Sequence, residues 1–233
     1  MIESIIQKNV YAIGVDILHT SKKTIYFIML IPLCLILLTL CLFSSPSASE
    51  VALSYYSLFI KQDASPVISS KIMDKETAHL VLDNVKEHFR NQIINDLSIE
   101  GRITLSSDQL NQIETAYFEL LSQLECSATS TKNGNRYIVT LHSTCIDFDA
   151  ISDQATQYAL SEINISHYGQ HADYLSDLVN AYTSYLVKSY ENTKPLQVTQ
   201  EAQFTFTKQH GLWLPENYGT FTNVLTDLIY FSS

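Results

Sequence analysis

The sequence predicts an α+β protein: an antiparallel sheet of two hairpins covered by helices, preceded by one transmembrane helix. Three observations predict it. Residues 24–43 run for twenty positions without a charged side chain. Beyond residue 50 the apolar positions recur at three or four residues, then change twice to every second residue, at Cys126 and again after Pro195. Turn signals, Lys132-Asn133-Gly134-Asn135 and then Lys208 to Gly211, sit inside both alternating stretches.

Composition bounds the rest. The chain has 233 residues, is 46% hydrophobic, and holds five prolines and six glycines, which excludes a collagen-like, low-complexity or disordered protein. Setting the apolar run and the tail before it aside leaves about 190 residues, enough for one domain with a real core. The run itself reads TIYFIMLIPLCLILLTLCLF. At helical rise it spans roughly 30 Å, the thickness of a hydrocarbon core, and Pro32 is tolerated there better than in a soluble helix. Lys22 and Lys23 precede it directly, whereas the first basic residue after it is Lys61. That asymmetry predicts residues 1–23 as a cytoplasmic tail, 24–43 as the membrane helix, 44–49 as a tether and 50–233 as an extracytoplasmic domain. Cleavage near Ser47-Ala48-Ser49, releasing a secreted form, is the competing expectation. Leu33 and Leu40 stand where a lipobox before Cys34 or Cys41 needs a small residue.

Residues 50–60 read as a helix, ended near Pro66. Asp74 caps the next one, whose apolar stripe is Ala78, Leu82, Val85, Phe89, Ile93 and Leu97. After a connection containing Gly101, Ser106 and Gln109 form a capping box for a helix with Leu110, Ile113, Tyr117, Leu120 and Leu124 on one side. A hairpin follows. Centred on Asn133-Gly134, it sets Ala128 opposite Val139 and Cys126 opposite Leu141. Residues 149–165 form a helix capped by Asp149, and a longer one carries Ala172, Leu175, Val179, Tyr182 and Leu186. Strand 196–207 turns Val198, Ala202, Phe204 and Phe206 to a core with Gln200 beside them, and Thr and Gln to water. Leu212-Trp213-Leu214 pairs back, and a last helix bears Phe221, Val224, Leu225 and Leu228. Trp213 is expected to be buried near Phe221 and Leu225.

The chemistry-bearing residues do not converge on a motif. The part beyond the membrane run carries 11 Lys+Arg against 22 Asp+Glu, so a phosphate backbone is repelled and no nucleic-acid partner is expected. Cys126 and Cys145 form a candidate disulfide: the compartment favours the bond, while the hairpin register places Cys145 roughly 13 Å along the strand from the residue facing Cys126. His167 and His171 are four apart, as two metal ligands on one helix face are, but Gly169 intervenes and no third ligand is near. His210 reads as an exposed turn residue. Asp147, Asp149 and His142 are the candidates for a single acid or base in a cavity enzyme. No GxSxG, HExxH or glycine-rich phosphate loop occurs. No catalytic residue, cofactor or metal is therefore assigned.

The ordering of helices before each hairpin, with the ending FTFTKQHGLWLPENYGTFTNVL, resembles the cystatin-like and nuclear-transport-factor-2-like extracytoplasmic domains of Gram-positive membrane-anchored proteins and lipoproteins. The resemblance covers roughly residues 50–233. It implies a curved sheet wrapped by helices, often enclosing a cavity, in a family of enzymes, binders and scaffolds. The anchor with its tail looks more like the scaffold subunits of secretion and conjugation machines. The expectation is a bacterial, surface-held binding or scaffold module with a membrane or envelope protein as partner; the cavity enzyme is the alternative.

Overall fold

The structure, a computed structural model, describes residues 45–97, 105–163 and 171–231, and of residues 171–173 the backbone alone. The apolar run 24–43, the tail before it, the Gly101 connection and His167 lie outside the described residues. Among the described residues no helix is long and apolar enough to cross a membrane.

The described residues from Pro46 onward belong to one compact unit. Helix α1 (Ala48–Phe59) starts two residues before the expected position, because Ser47 and Glu50 form a reciprocal capping box that takes up part of the 44–49 tether. These hydrogen bonds hold the Glu50 carboxyl below its usual range. A short helix, α2 (Ser65–Ser69), accommodates Pro66 in its first turn, where the missing N–H costs nothing. Helix α3 (Lys75–Leu97) begins at Asp74, whose carboxylate accepts from the Thr77 N–H at 2.9 Å and from its hydroxyl at 2.8 Å. Helix α4 (Ser107–Ser122) carries the expected Ser106–Gln109 capping box.

Strands β1 (Cys126–Asn133) and β2 (Arg136–Thr144) form the first hairpin. Its register corrects the expectation by two residues: Asn133 faces Arg136, Ala128 faces Leu141, and Cys126 faces Ser143. Gly134, at φ +63°, is the first residue of the two-residue turn, a position that favours glycine in type II′ turns. Helix α5 (Phe148–Glu162) is capped by Asp147, not Asp149: the Asp147 carboxylate accepts from the Ala150 N–H at 2.8 Å, and Asp149 falls inside the first turn. Helix α6 (His171–Asn192) then leads to strands β3 (Thr199–Gln209) and β4 (Leu212–Pro215). His210 and Gly211 both have positive φ and close that second turn; His210 is exposed, as expected of a turn residue. Helix α7 (Tyr218–Ile229) ends the domain.

The four strands make one antiparallel sheet in the order β1-β2-β3-β4, so the two hairpins join through β2 and β3. Alternation decides its two faces. The inner face presents Val139, Leu141, Phe204 and Phe206, all buried. Helices α1 and α7 cover it. Tyr55, Tyr56 and Leu58 come from α1, Phe221 and Leu225 from α7, and Phe221 meets both Phe204 and Tyr55 edge-on. Within this layer, Tyr56 Oη and Ser143 Oγ are hydrogen-bonded at 2.6 Å, and Ser143 Oγ donates to the Thr144 carbonyl at 2.8 Å. Burial pushes the Tyr56 phenol up, so both groups stay neutral and satisfied. A second aromatic cluster, Phe89, Tyr117, Phe148, Tyr190 and Tyr230, joins α3, α4, α5 and α6 to the chain end. The exit of β2 is fixed by backbone: Ile146 pairs in parallel with Tyr230, and the Cys145 carbonyl accepts from Leu196 N–H at 2.8 Å.

Trp213 departs from expectation. It lies opposite Lys208, past the end of the cover supplied by α7, and is half-buried against Tyr137 at 4.8 Å, with the Lys208 ammonium 5.7 Å above its ring. Replacing Phe221 with Ala should therefore cost about 3–5 kcal/mol in urea unfolding. Trp213→Ala should cost roughly 1–2 kcal/mol, since part of its surface is already in water. Equal losses at the two positions would contradict this placement.

Candidate functional site

The covered inner face leaves the outer one open. There the strands present rows of short polar side chains. Thr129, Thr140 and Gln203 stand in one row across β1, β2 and β3, and Thr131, Ile138 and Thr205 in the next. Thr207 and Leu214 continue the surface onto β4. Thr129, Thr131 and Gln203 are exposed, while the residues of the central strand are half-buried by their own neighbours. His142 lies on this face between Ser127 and Glu201, its Nδ1 3.5 Å from a Glu201 carboxylate oxygen. Because the backbone beneath is locked in a ladder, this surface is preorganised, which lowers the entropy lost when a partner docks.

A groove of about 600 Å³ runs between α4 and α6. Gln109 builds its end: its carbonyl oxygen accepts from the Ser106 N–H in the capping box, and its amide nitrogen donates to Asn180 Oδ1 at 2.9 Å. One side chain thus starts α4 and ties it to α6. The lining mixes amides and hydroxyls (Gln112, Thr115, Ser184) with Glu119, Lys188 and Glu191, so it suits hydrogen bonding more than apolar capture. From α3, Arg90 pairs with Glu114 of α4 and donates at 2.5 Å to Asn111, which itself lines the groove.

The candidate acid and base residues are not brought together. His142 is on the outer sheet face, Asp147 is engaged as a helix cap, and Asp149 is exposed in the first turn of α5. None of the three lines the α4–α6 groove. His171 opens α6, and its intended partner His167 lies outside the described residues. Among the described residues, no three His, Cys, Asp or Glu side chains stand close enough to hold a metal ion. The groove itself escaped the sequence reading. Its signal was present in Gln109, read as a cap and not as a bridge.

Cys126 and Cys145 are free thiols. Cys126 faces Ser143, so Cys145 lies two residues beyond its partner, just past the end of β2. The Cys145 thiol reaches toward the Val198 carbonyl at 3.6 Å. Burial pushes the Cys126 thiol up to about 12 and raises that of Cys145 too, which disfavours the thiolate at neutral pH. Cys145, which is buried, should resist a thiol-alkylating reagent at pH 8 in the folded domain and react at once in denaturant, whereas the half-buried Cys126 should react slowly. Rapid labelling of Cys145 in the native protein would contradict its burial.

No protein-family model matches the chain, and no curated protein matches it. Among solved structures, it is similar to the crystal structure of a "putative lipoprotein (ycdA)" from Bacillus subtilis subsp. subtilis str. 168, with a TM-score of 0.56 and 15% sequence identity. The likeness covers 79% of this chain and 56% of that one, so this chain spans little more than half the length of the protein it matches. At such identity the likeness establishes the fold: a mixed α+β domain of the same architecture.

Proposed function

We propose that this chain is a membrane-anchored extracytoplasmic binding or scaffold module, whose open sheet face docks a membrane or envelope protein without metal, cofactor or chemistry. The observation that carries the reading is the asymmetry of the sheet. One face is covered over its apolar centre by α1 and α7, and the other is a hydroxyl- and amide-rich surface with no helix packed on it among the described residues. Short polar side chains on a fixed backbone can form many hydrogen bonds with little loss of rotamer freedom. Of the cavity-enzyme residues, Asp147 already spends its carboxylate on a backbone N–H.

The cell-surface part of the reading rests on the uncharged run 24–43 with Lys22 and Lys23 before it, and the fold likeness to a protein described as a lipoprotein supports it. We read the sheet and its one-sided helical cover as cystatin-like or nuclear-transport-factor-2-like. An anchor of this kind keeps the module near other membrane components and raises its effective concentration for them.

Protease added to intact protoplasts should degrade residues 44–233 and spare the tail; protection of the domain would overturn the topology. A photoactivatable cross-linker at Gln203 should capture a discrete membrane or envelope protein in the native membrane, whereas one at Asn111, in the α4–α6 groove, should not. Stoichiometric zinc in the purified protein, or a turnover abolished by Asp149→Asn or His142→Gln, would overturn the binding-module reading.

A further inference from the structure

The two edges of the sheet are built differently. Strand β4 is short and ends at Pro215, and Glu216 just beyond it pairs with Arg136 at 3.1 Å. Shortness, proline and charge are the usual ways to stop a sheet edge from recruiting another strand. Strand β1 has none of them over most of its length. It is 8 residues long, CSATSTKN, with no proline, and its register against β2 runs one-to-one from Cys126–Ser143 to Asn133–Arg136 without a bulge. Its one charge is Lys132, beside the turn. Residues Ser127 and Thr129 to Asn133 are exposed.

Antiparallel alternation tells which backbone groups are free. Thr144 N–H donates to the Glu125 carbonyl at 2.9 Å, which makes Glu125–Thr144 a hydrogen-bonded pair. Every second pair repeats it, so Ser127, Thr129, Thr131 and Asn133 spend their N–H and C=O groups on β2. Cys126, Ala128, Ser130 and Lys132 turn theirs away from the sheet. These groups form an ordered row of donors and acceptors, free of any β2 partner.

We infer that β1 pairs antiparallel with β1 of a second copy of this chain, about a two-fold axis through Thr129, and so joins two sheets into one. This register sets Ala128 opposite Ser130 and Cys126 opposite Lys132, and each of these pairs occurs twice. All four outward-facing residues of each copy thereby bond fully across the seam. Thr129 meets its own copy and Ser127 meets Thr131, so small hydroxyls oppose one another and no like charges do. Charge also points to the seam. The chain carries a net −10, and two copies repel over most surfaces, but β1 contains no acidic residue and one lysine. An isologous contact of this sort closes at two chains. The inference does not depend on what the open face binds; it doubles that face by making it continuous across the dimer.

The test uses the full chain, in detergent and in its own membrane. At a non-hydrogen-bonded pair the two Cα atoms lie about 4.5 Å apart, within disulfide range. Thr129→Cys should therefore form a reducible covalent dimer on mild oxidation. Thr131→Cys should not, because its copy lies roughly 13 Å along the strand. Ser130→Pro removes an outward N–H that β2 does not use; it should weaken dimerisation about thirtyfold in sedimentation while leaving the circular dichroism unchanged. A Thr129→Cys chain that stays monomeric and unlinked overturns the inference, as does equal cross-linking of Thr131→Cys or a Ser130→Pro dimer of undiminished affinity.

Discussion

The architecture depends on one constraint: the inner face of the sheet must be sealed by two helices that are far apart in sequence. Helix α1 opens the domain and α7 closes it, yet both lie on Val139, Leu141, Phe204 and Phe206. Phe221 touches Tyr55 of α1 and Phe204 of β3, so the hydrophobic layer is complete only when α1, the sheet and α7 are all in place. This gives the domain many non-local contacts, a topology associated with slower folding. The buried Tyr56–Ser143 hydrogen bond fixes where α1 sits along the sheet, because sliding the helix by one turn would leave both hydroxyls unsatisfied.

The remaining helices form a second layer, held together by aromatic contacts and by a few polar bridges. Tyr117 is central to it: it stacks on Phe89 at 4.3 Å and meets Phe148 and Tyr190 at 5.6 Å, which raises its phenol well above the usual value through burial. Gln109 and Arg90 then bridge α4 to α6 and to α3. With two layers satisfied in this way, the outer sheet face and the β1 edge are the surfaces where ordered polar groups face water. The proposed docking face and the proposed seam share that origin.

Much of this was legible in the sequence. The capping residues Asp74, Ser106 and Gln109, both hairpins, and the inward set Ala202, Phe204 and Phe206 follow from local chemistry and periodicity. The first hairpin's register did not, and the reason is physical. A slip of two residues keeps every side chain on its own face, so the apolar pattern fits both alignments. Asn133-Gly134 and Gly134-Asn135 each suit a primed turn, leaving nothing local to choose between them. The cap of α5 shifted from Asp149 to Asp147 because Ile146 is pinned by Tyr230, a contact from the other end of the domain. Trp213 was misplaced for a similar reason: its residue type argues for burial, but the sheet outruns the helix above it. Side-chain pairs across helices, such as Gln109–Asn180, carry no periodic signature at all.

The claim that one sheet face is sealed and the other open is tested most directly on two adjacent residues of β3. Gln203 points to the open face, and Phe204 points beneath α7. Equilibrium unfolding of Gln203→Ala and Phe204→Ala, measured side by side, should show a change within about 0.5 kcal/mol for the first and a loss of about 3–5 kcal/mol for the second. Comparable losses at both positions would mean that the outer face is also packed, and would contradict the account.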